Sequence, residues 1–268
     1  MHTIRHFIGG DFADPFEGKW LETLNPATGE PYARVADSET LDVVRAVQAA
    51  NKAFATAAKA EPEARIAQLK AFTEAFATRG EDLARREAEE TGVPIRATRT
   101  SVLNALAALR AVDATPHPNR HSIGVVTLVT PSIDPTFTLV SRLAAALACG
   151  NSVIAKPSSN AAATAQLLGE IAQASGLPAG VFNLVQGRGG VAGSALVEHP
   201  GLSTIAFAGR TETGRLIQKS AAEDLKRTQL SLGACNAAVI FTDADLEKAV
   251  SAVVKLSLSS LTPRALRV

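Results

Sequence analysis

Apolar and polar residues follow different patterns in the two parts of the chain. In the first part they recur with a helical period over three stretches, residues 39–59, 63–91 and 95–112. Short β-prone runs precede these stretches, and glycine and proline turn signals at residues 8–11 and 25–30 separate the runs. We therefore predict a hairpin region followed by helices over residues 1–112.

Strand and helix patterns alternate after a Pro-rich connector at residues 113–122. Apolar runs predict strands over residues 125–129, 152–155, 181–185, 204–208 and 237–241. Helical stretches follow them over residues 137–148, 161–174, 191–197, 212–223 and 243–256. Strands that are apolar throughout and alternate with helices indicate a parallel sheet covered on both faces, and right-handed crossovers make such a sheet doubly wound.

The predicted fold is therefore α/β, with a doubly wound, Rossmann-like, mostly parallel five-stranded sheet. The N-terminal hairpin and helical segment is expected to pack on this sheet. We predict one domain over residues 1–268, in which residues 123–268 form the parallel α/β core. The hydrophobic fraction of 46% in 268 residues is sufficient for a core of this size.

Composition narrows the classes of partner. The 27 basic and 26 acidic residues give a net charge of +1, which provides no field to attract nucleic acid or an anionic membrane. Cys149 and Cys235 are too few for a disulfide framework, and no apolar run reaches 18 residues. We expect a cytoplasmic protein that binds no metal, nucleic acid or membrane, and a Cys149 thiol buried at the end of an apolar helix.

A phosphate-binding turn is predicted where an apolar strand passes through Gly209 into the polar first turn of a helix. The unpaired N–H groups and the dipole of a helix start attract a pyrophosphate. Ligands of doubly wound sheets bind at the carboxyl ends of the strands, where Pro131, Lys156, Gly187 and Gly209 all fall. We expect these loops to form one cleft.

Several ordered motifs resemble the aldehyde dehydrogenase superfamily over nearly the whole chain. They lie at residues 7–11, 25–30, 90–92, 131, 144–157, 176–183, 205–209 and 243–246. The resemblance implies a subunit with a coenzyme-binding domain, a catalytic domain and an oligomerisation hairpin. This chain resembles the N-terminal and coenzyme-binding portion only, so we expect the catalytic domain to be absent and the hairpin to be shortened to the connector 113–122.

The resemblance also implies a catalytic set, and this chain departs from it at each position. Ile133 stands at the asparagine of the family's Pro-Trp-Asn motif, whose amide helps to hold the oxyanion. Ser231 replaces the glutamate of Glu-Leu-Gly-Gly, and Thr262 aligns with the nucleophilic cysteine. We therefore expect no ordinary aldehyde oxidation, and a nucleotide-binding or regulatory pseudoenzyme.

For the cofactor, the resemblance implies NADP or NAD. The candidate binding residues are Pro131, Lys156, Ser159, Gly187, Gly209, Arg210 and Thr211. Lys156 matches the lysine that bonds the adenosine ribose. Ser159 stands where the family often has a glutamate, so a 2′-phosphate would be tolerated; alternatively, Ser159 caps the following helix.

Two arginines have two interpretations each. Arg210 replaces a small hydroxyl residue at the phosphate turn, where its guanidinium either clamps phosphate or fills the space that the dinucleotide needs. Arg188 either pairs a 2′-phosphate or is a solvated loop residue.

Two further functions remain open. The cleft could perform non-redox acid–base chemistry, such as isomerisation, cyclisation or elimination, with Ser132, Asp134 and Arg210, although Asp134 could equally cap the next helix. The chain could also be a residual NAD(P)-dependent oxidoreductase completed by a partner subunit. In every case we expect a small molecule in the cleft, and a second copy or another protein on the face left by the missing catalytic domain.

Overall fold

A computed structural model describes residues 1–57, 61–112, 121–233 and 238–259. Its strands are β1 (His2–Ile4), β2 (His6–Ile8), β3 (Asp11–Ala13), β4 (Trp20–Leu24), β5 (Pro31–Ala36), β6 (Val125–Val129), β7 (Ser152–Lys156), β8 (Phe182–Leu184), β9 (Thr204–Gly209) and β10 (Arg227–Leu232). Its α-helices are α1 (Thr40–Ala57), α2 (Pro62–Thr78), α3 (Gly80–Thr91), α4 (Ile95–Ala111), α5 (Pro135–Ala148), α6 (Ala162–Ala174), α7 (Ser194–Glu198), α8 (Thr211–Glu223) and α9 (Leu246–Ser259). None of these helices is both long and apolar enough to cross a bilayer.

The main sheet has seven strands in the order β10-β9-β6-β7-β8-β2-β3. The first five are parallel, and β2 and β3 add an antiparallel hairpin at one edge. A smaller sheet joins β1, β5 and β4, with a turn over residues 25–30 between β4 and β5. The predicted α/β class, the parallel core and the N-terminal hairpin region are therefore confirmed.

The identity of the last parallel strand was predicted wrongly. The edge strand is β10, whereas residues 238–241, the described part of the predicted run, form no strand. β10 pairs with all of β9, from Arg227 opposite Thr204 to Leu232 opposite Gly209. An edge strand has a single neighbour and tolerates polar residues, so a search for apolar runs does not detect Arg-Thr-Gln-Leu-Ser-Leu.

Helices cover both faces of the main sheet. In β7, Ile154 packs in a core with residues of α1 and α7, whereas Val153 and Ala155 point into the larger core formed with α2 to α6. This alternation follows from the two-residue period of a strand. The predicted doubly wound arrangement is therefore present.

One predicted helical stretch is broken. Residues 63–91 form α2 and α3, which meet at Arg79 and Gly80. Glycine is a poor residue for a helix interior. A Cβ at Gly80 would lie 3.3 Å from Val102 Cγ1, so the break brings this backbone close to α4.

Cys149 is exposed at the end of α5, although the sequence led us to expect a buried thiol. The apolar residues before it are buried on the inner side of the helix, but the helix ends at Ala148, and Cys149 points outward. Cys235 and residues 113–120 lie outside the described residues, so the shortened connector remains a prediction.

Glu90 links α3 to the start of α6. Its carboxylate is 4% exposed and accepts hydrogen bonds from the backbone N–H groups of Ala163 and Thr164, at 2.7 and 2.9 Å. These two donors have no partner within the helix, because they lie in its first turn. Glu90 therefore fixes the segment that follows Lys156 at the edge of the sheet.

We expect Glu90→Ala to lower the free energy of unfolding by about 2 to 4 kcal/mol, because it leaves two buried N–H groups without acceptors. Glu90→Gln retains a carbonyl acceptor and should cost less. Urea unfolding followed by circular dichroism measures both. Glu89→Ala, at an exposed position of the same helix, is the control, and an equal loss in Glu89→Ala would contradict the capping role.

Candidate functional site

The predicted site residues gather at one edge of the main sheet. Strands β9, β6, β7 and β8 are consecutive neighbours and run in the same direction, so their carboxyl ends lie side by side. Gly209, Pro131, Lys156 and Gly187 lie at or just beyond these ends. Ser231 lies near the end of β10, on the outer side of β9.

Lys156 is a buried ammonium with donors to spare. The residue is 4% exposed, and within the described part of the chain its side chain makes one hydrogen bond, from Nζ to the carbonyl of Pro157 at 2.9 Å. Burial lowers the pKa of Lys156 to about 8, and the carboxylate of Asp37 opposes this effect. An ammonium has three N–H donors, so two remain for a ligand. Neutral hydroxyl groups, such as those of a ribose, suit this group.

The start of α8 has the geometry expected of an anion site. Arg210 is its N-cap residue, yet no side chain caps the helix. The first N–H groups of the helix are consequently unpaired within it. Gly209 is required here, because a Cβ at this position would lie 2.5 Å from the Phe207 ring. A pyrophosphate group fits a helix start of this kind.

The two arginines differ in how they are held. Arg210 is exposed, and no hydrogen bond or ion pair to another described residue holds its side chain. Arg188 is fixed by the buried Asp37, whose Oδ2 accepts from its Nε at 2.9 Å and lies 2.8 Å from its Nη2. Arg188 thus neutralises Asp37, a role that the sequence did not predict. Clamping and blocking by Arg210 both stay predictions.

Gly187 holds the loop after β8 against the segment that carries Asp37. Its φ is +123°, and a Cβ would lie 2.7 Å from the backbone nitrogen of Ser38. Only glycine combines this conformation with so close an approach. Gly187 is therefore needed for the packing of this loop, independently of any role in binding a ligand.

The helix cap after β7 belongs to Ser158 and not to Ser159. Ser158 Oγ accepts from the N–H of Asn160 at 3.3 Å, at the start of the short helical turn that precedes α6. The expectation that Ser159 caps the helix was therefore off by one residue. Ser159 is half-buried, and its role beside a ribose stays a prediction.

An arginine that sequence reasoning missed contacts Ser231, the residue that the resemblance aligns with the family's glutamate. Arg142 of α5 donates from Nη2 to Ser231 Oγ at 3.0 Å and from Nη1 to the carbonyl of Thr138 at 2.9 Å. Partial burial lowers the pKa of the Arg142 guanidinium below its ordinary value. No motif indicated this contact, since it joins residues 89 positions apart. Ile133 is 50% exposed, and Thr262 lies outside the described residues.

Asp134 occupies the first position before α5, but its side chain does not cap the helix. Its φ is +47°, a left-handed conformation that is uncommon for a residue other than glycine. Its Oδ1 accepts a hydrogen bond from Ser101 Oγ of α4. The expected capping role of the side chain is thus wrong. No hydrogen bond among described residues joins Asp134 to Ser132 or Arg210, so the acid–base alternative stays a prediction.

A second carboxyl group, that of Glu87, interacts electrostatically with Asp134. It was missed at the level of sequence because Glu87 occupies an ordinary polar position of a helical stretch. It is 1% exposed and accepts from the N–H and the hydroxyl group of Thr136. Burial, helped by the charge of Asp134, raises the pKa of Glu87 to about 7, although the hydrogen bonds from Thr136 oppose the rise. Within the described ranges, no group of three or more metal-ligating side chains occurs.

Comparison with known proteins agrees with this arrangement. A family model described as "Aldehyde dehydrogenase family" matches residues 12–260. The chain belongs to the aldehyde dehydrogenase family. It is 34% identical to a 2-aminomuconic semialdehyde dehydrogenase of Danio rerio over 96% of this chain and 56% of that protein. It is 35% identical to the NADP/NAD-dependent aldehyde dehydrogenase PuuC of Escherichia coli, over 92% of this chain and 54% of that protein.

Solved structures of family members match as well. HpcC from Thermus thermophilus superposes with a TM-score of 0.89 at 35% identity, covering 95% of this chain and 53% of that one. A mutant of AldC from Pseudomonas syringae, determined with NAD+ and octanal, has a TM-score of 0.88 at 31% identity. The match covers 96% of this chain and 57% of that one. The resemblance inferred from the motifs is confirmed, and the chain spans about half the length of the curated relatives it matches.

The Glu87 carboxyl group predicts a pH dependence of stability. Its pKa is near 7 in the folded chain and near 4.5 when unfolded, so the folded state binds more protons between these values. Stability should therefore fall as the pH rises from about 4.5 to about 7, by up to about 3 kcal/mol from this group. We expect the stability of Glu87→Gln, measured by urea unfolding across that pH range, to fall less than that of the wild-type chain; part of the fall should remain, because burial also raises the pKa of Glu90 to about 7.

Glu89→Gln controls for the loss of one exposed carboxylate from the same helix. An unchanged pH slope in Glu87→Gln would show that Glu87 does not hold its proton to a higher pH in the folded chain.

Proposed function

We propose that this chain binds NADP or NAD at the carboxyl-end rim of its main sheet and does not itself oxidise aldehydes. The observation that supports binding is the buried ammonium of Lys156, which lies at the carboxyl end of β7 and makes one hydrogen bond to the described part of the chain. Burying a charged group whose hydrogen-bond donors lack acceptors destabilises the fold, unless a ligand provides the acceptors. The family's NADP/NAD-dependent member and the relatives solved with NAD+ supply the class of ligand.

Each part of the dinucleotide has a candidate group on this rim. Lys156 would donate to the adenosine ribose, and the N–H groups at the start of α8, from Thr211 onward, would hold the pyrophosphate. Gly209 would let the chain turn into α8 beside the Phe207 ring, while Pro131 and Gly187 shape the neighbouring loops. Because Ser159 is neutral, NADP should bind at least as tightly as NAD. When bound, the cofactor would supply a hydride acceptor.

The side chains at positions 231 and 133 do not supply the general base and the oxyanion donor that aldehyde oxidation needs besides the cofactor. Ser231 cannot accept a proton at neutral pH, and its hydroxyl group is already bonded by Arg142. The Ile133 side chain has no donor for an oxyanion. These two positions support a pseudoenzyme that senses or sequesters the nucleotide. The proposal concerns this chain and not the longer proteins it resembles.

Calorimetric titration with NAD and NADP tests the proposal. We expect binding of at least one dinucleotide, and Lys156→Met should weaken it roughly tenfold or more by removing charged hydrogen bonds while retaining an apolar stem. Lys70→Met, at an exposed position of α2, is the matched control and should bind as the wild type does. The absence of heat with both dinucleotides at millimolar concentration would refute nucleotide binding. Stoichiometric reduction of the nicotinamide by an aldehyde would refute the inactive assignment.

The exposed apolar face of α9 favours a second candidate function, that of an NAD(P)-dependent oxidoreductase completed by another polypeptide. Leu246, Val250 and Val254 lie at four-residue spacing and are 69%, 55% and 48% exposed. Phe241, just before the helix, is 73% exposed. A row of this kind normally marks a contact surface. We propose that in the isolated chain a second copy covers it.

Sedimentation velocity tests the contact surface. We expect the purified chain to associate, and Val250→Glu to shift it to monomer because the charge cannot be buried in an apolar contact. Leu103→Glu, at an equally exposed position of α4, should leave the association unchanged. A wild-type chain that is strictly monomeric would contradict the proposal. If the NAD(P)H absorbance does not change with any candidate partner subunit, the oxidoreductase role is refuted, whereas the proposed contact surface is not.

A further inference from the structure

The outer edge of β10 has no strand beside it in the described part of the chain. β10 is the last strand of the main sheet and pairs there only with β9. The N–H of Arg227 donates to the carbonyl of Ser203, on the β9 side. Because backbone groups of successive residues point to opposite sides of a strand, those of Thr228, Leu230 and Leu232 point away from β9. An edge of this kind is a template for a further strand.

A run of strand-forming residues without a strand partner follows β10 in the sequence. Residues 238–241, Ala-Val-Ile-Phe, form no strand in the described structure. Val239, Ile240 and Phe241 are 74%, 48% and 73% exposed. β-branched and aromatic residues favour strands, and three of them in a row leave apolar surface in water. The N–H of Ala244 donates to the carbonyl of Phe241, so a turn ends the run at this residue.

The run and the edge fit each other in an antiparallel register. If Ile240 lies opposite Leu230, then Ala238 lies opposite Leu232, and both pairs occupy positions that exchange two hydrogen bonds. Leu230 already packs against the apolar cluster that β9 forms with α8. Side chains of directly opposite residues share one face of a sheet, so Ile240 would extend this apolar face.

The charges at the ends of the two segments favour the antiparallel orientation over the parallel one. Arg227 begins β10, and Asp243 follows the run by two positions. Both residues are exposed, and no hydrogen bond or ion pair to another described residue holds their side chains. In the antiparallel register the two charges lie at the same end of the paired segment, whereas in a parallel register Asp243 would lie at the Leu232 end. Opposite charges on adjacent strands stabilise a sheet.

We propose that residues 238–241 of a second copy add to the outer edge of β10 as an antiparallel strand, and that the exchange is mutual. In the described structure the run does not pair with β10 of its own chain. It leads into α9, whose exposed apolar row is the surface proposed to meet a second copy. The strand exchange rests on that self-association and extends the same contact to β10. Mutual exchange closes the assembly as a two-fold dimer.

Cross-linking between separately purified variants tests the exchange. Gln229 and Phe241 lie opposite each other in this register, at a pair without hydrogen bonds, where Cα atoms are about 4.5 Å apart and a disulfide fits. We expect Gln229→Cys and Phe241→Cys, each combined with Cys149→Ser and Cys235→Ser, to form a disulfide-linked dimer when they are mixed and oxidised. Mass spectrometry of the linked peptides identifies the bond, which must join two chains because each chain has one cysteine.

The control for this cross-link replaces Phe241→Cys by Leu103→Cys, at an exposed position of α4, in the same background. Mixed with Gln229→Cys, it should give no disulfide-linked dimer, because α4 does not take part in the proposed contact.

Exchange of the two charges provides a second measurement. We expect Arg227→Glu to weaken self-association about tenfold in sedimentation velocity, because both contacts of the dimer then place two negative charges near each other. Adding Asp243→Lys to the same chain should restore the association. Lys70→Glu, at an exposed position of α2, makes the same charge change and should associate as the wild type does.

The possible failures separate this inference from the proposed α9 contact. If the wild-type chain associates and Val250→Glu makes it monomeric, but the two cysteine variants do not cross-link, the strand exchange is refuted and the α9 contact is not. A chain with both cysteines that forms only an internal disulfide would also overturn the exchange, as would an Asp243→Lys substitution that restores nothing. A strictly monomeric wild-type chain would refute both contacts.

Discussion

The parallel pairing of β6 with β7 on one side and with β9 on the other is the interaction on which the rest of the structure depends. Both faces of these strands are buried, so their register is fixed by packing from above and below as well as by the ladder of hydrogen bonds. Because the strands run in the same direction, their carboxyl ends must lie together. The position of the predicted coenzyme rim is thus a product of topology, and its residues come from loops far apart in the sequence.

The central strands and the order of motifs were readable from the sequence because their signals are local. Uninterrupted apolar runs identify doubly buried strands, and glycine and proline signals identify the turns. The sequence pattern did not predict structural roles that depend on a partner elsewhere in the chain. β10 looks polar because it has one neighbour, and the run 237–241 looks like a strand although its described part is unpaired.

The same distinction applies to the site. Lys156, Gly187 and Gly209 could be placed at the rim because each follows a predictable strand. Glu87, Arg142 and the partnership of Arg188 with Asp37 could not, because their importance arises from contacts between distant elements. The role of such charged groups depends on what surrounds them in the fold, and one sequence contains little record of those surroundings.

The contact between Arg142 and Ser231 constrains what an acidic residue at position 231 could do. A carboxylate placed at position 231 would meet a guanidinium that already reaches that position. The positive charge would hold such a carboxylate in its ionised form and weaken it as a base. A glutamate introduced at position 231 would therefore form an ion pair with Arg142, and it would regain the strength of a free base only if that arginine of α5 were changed as well.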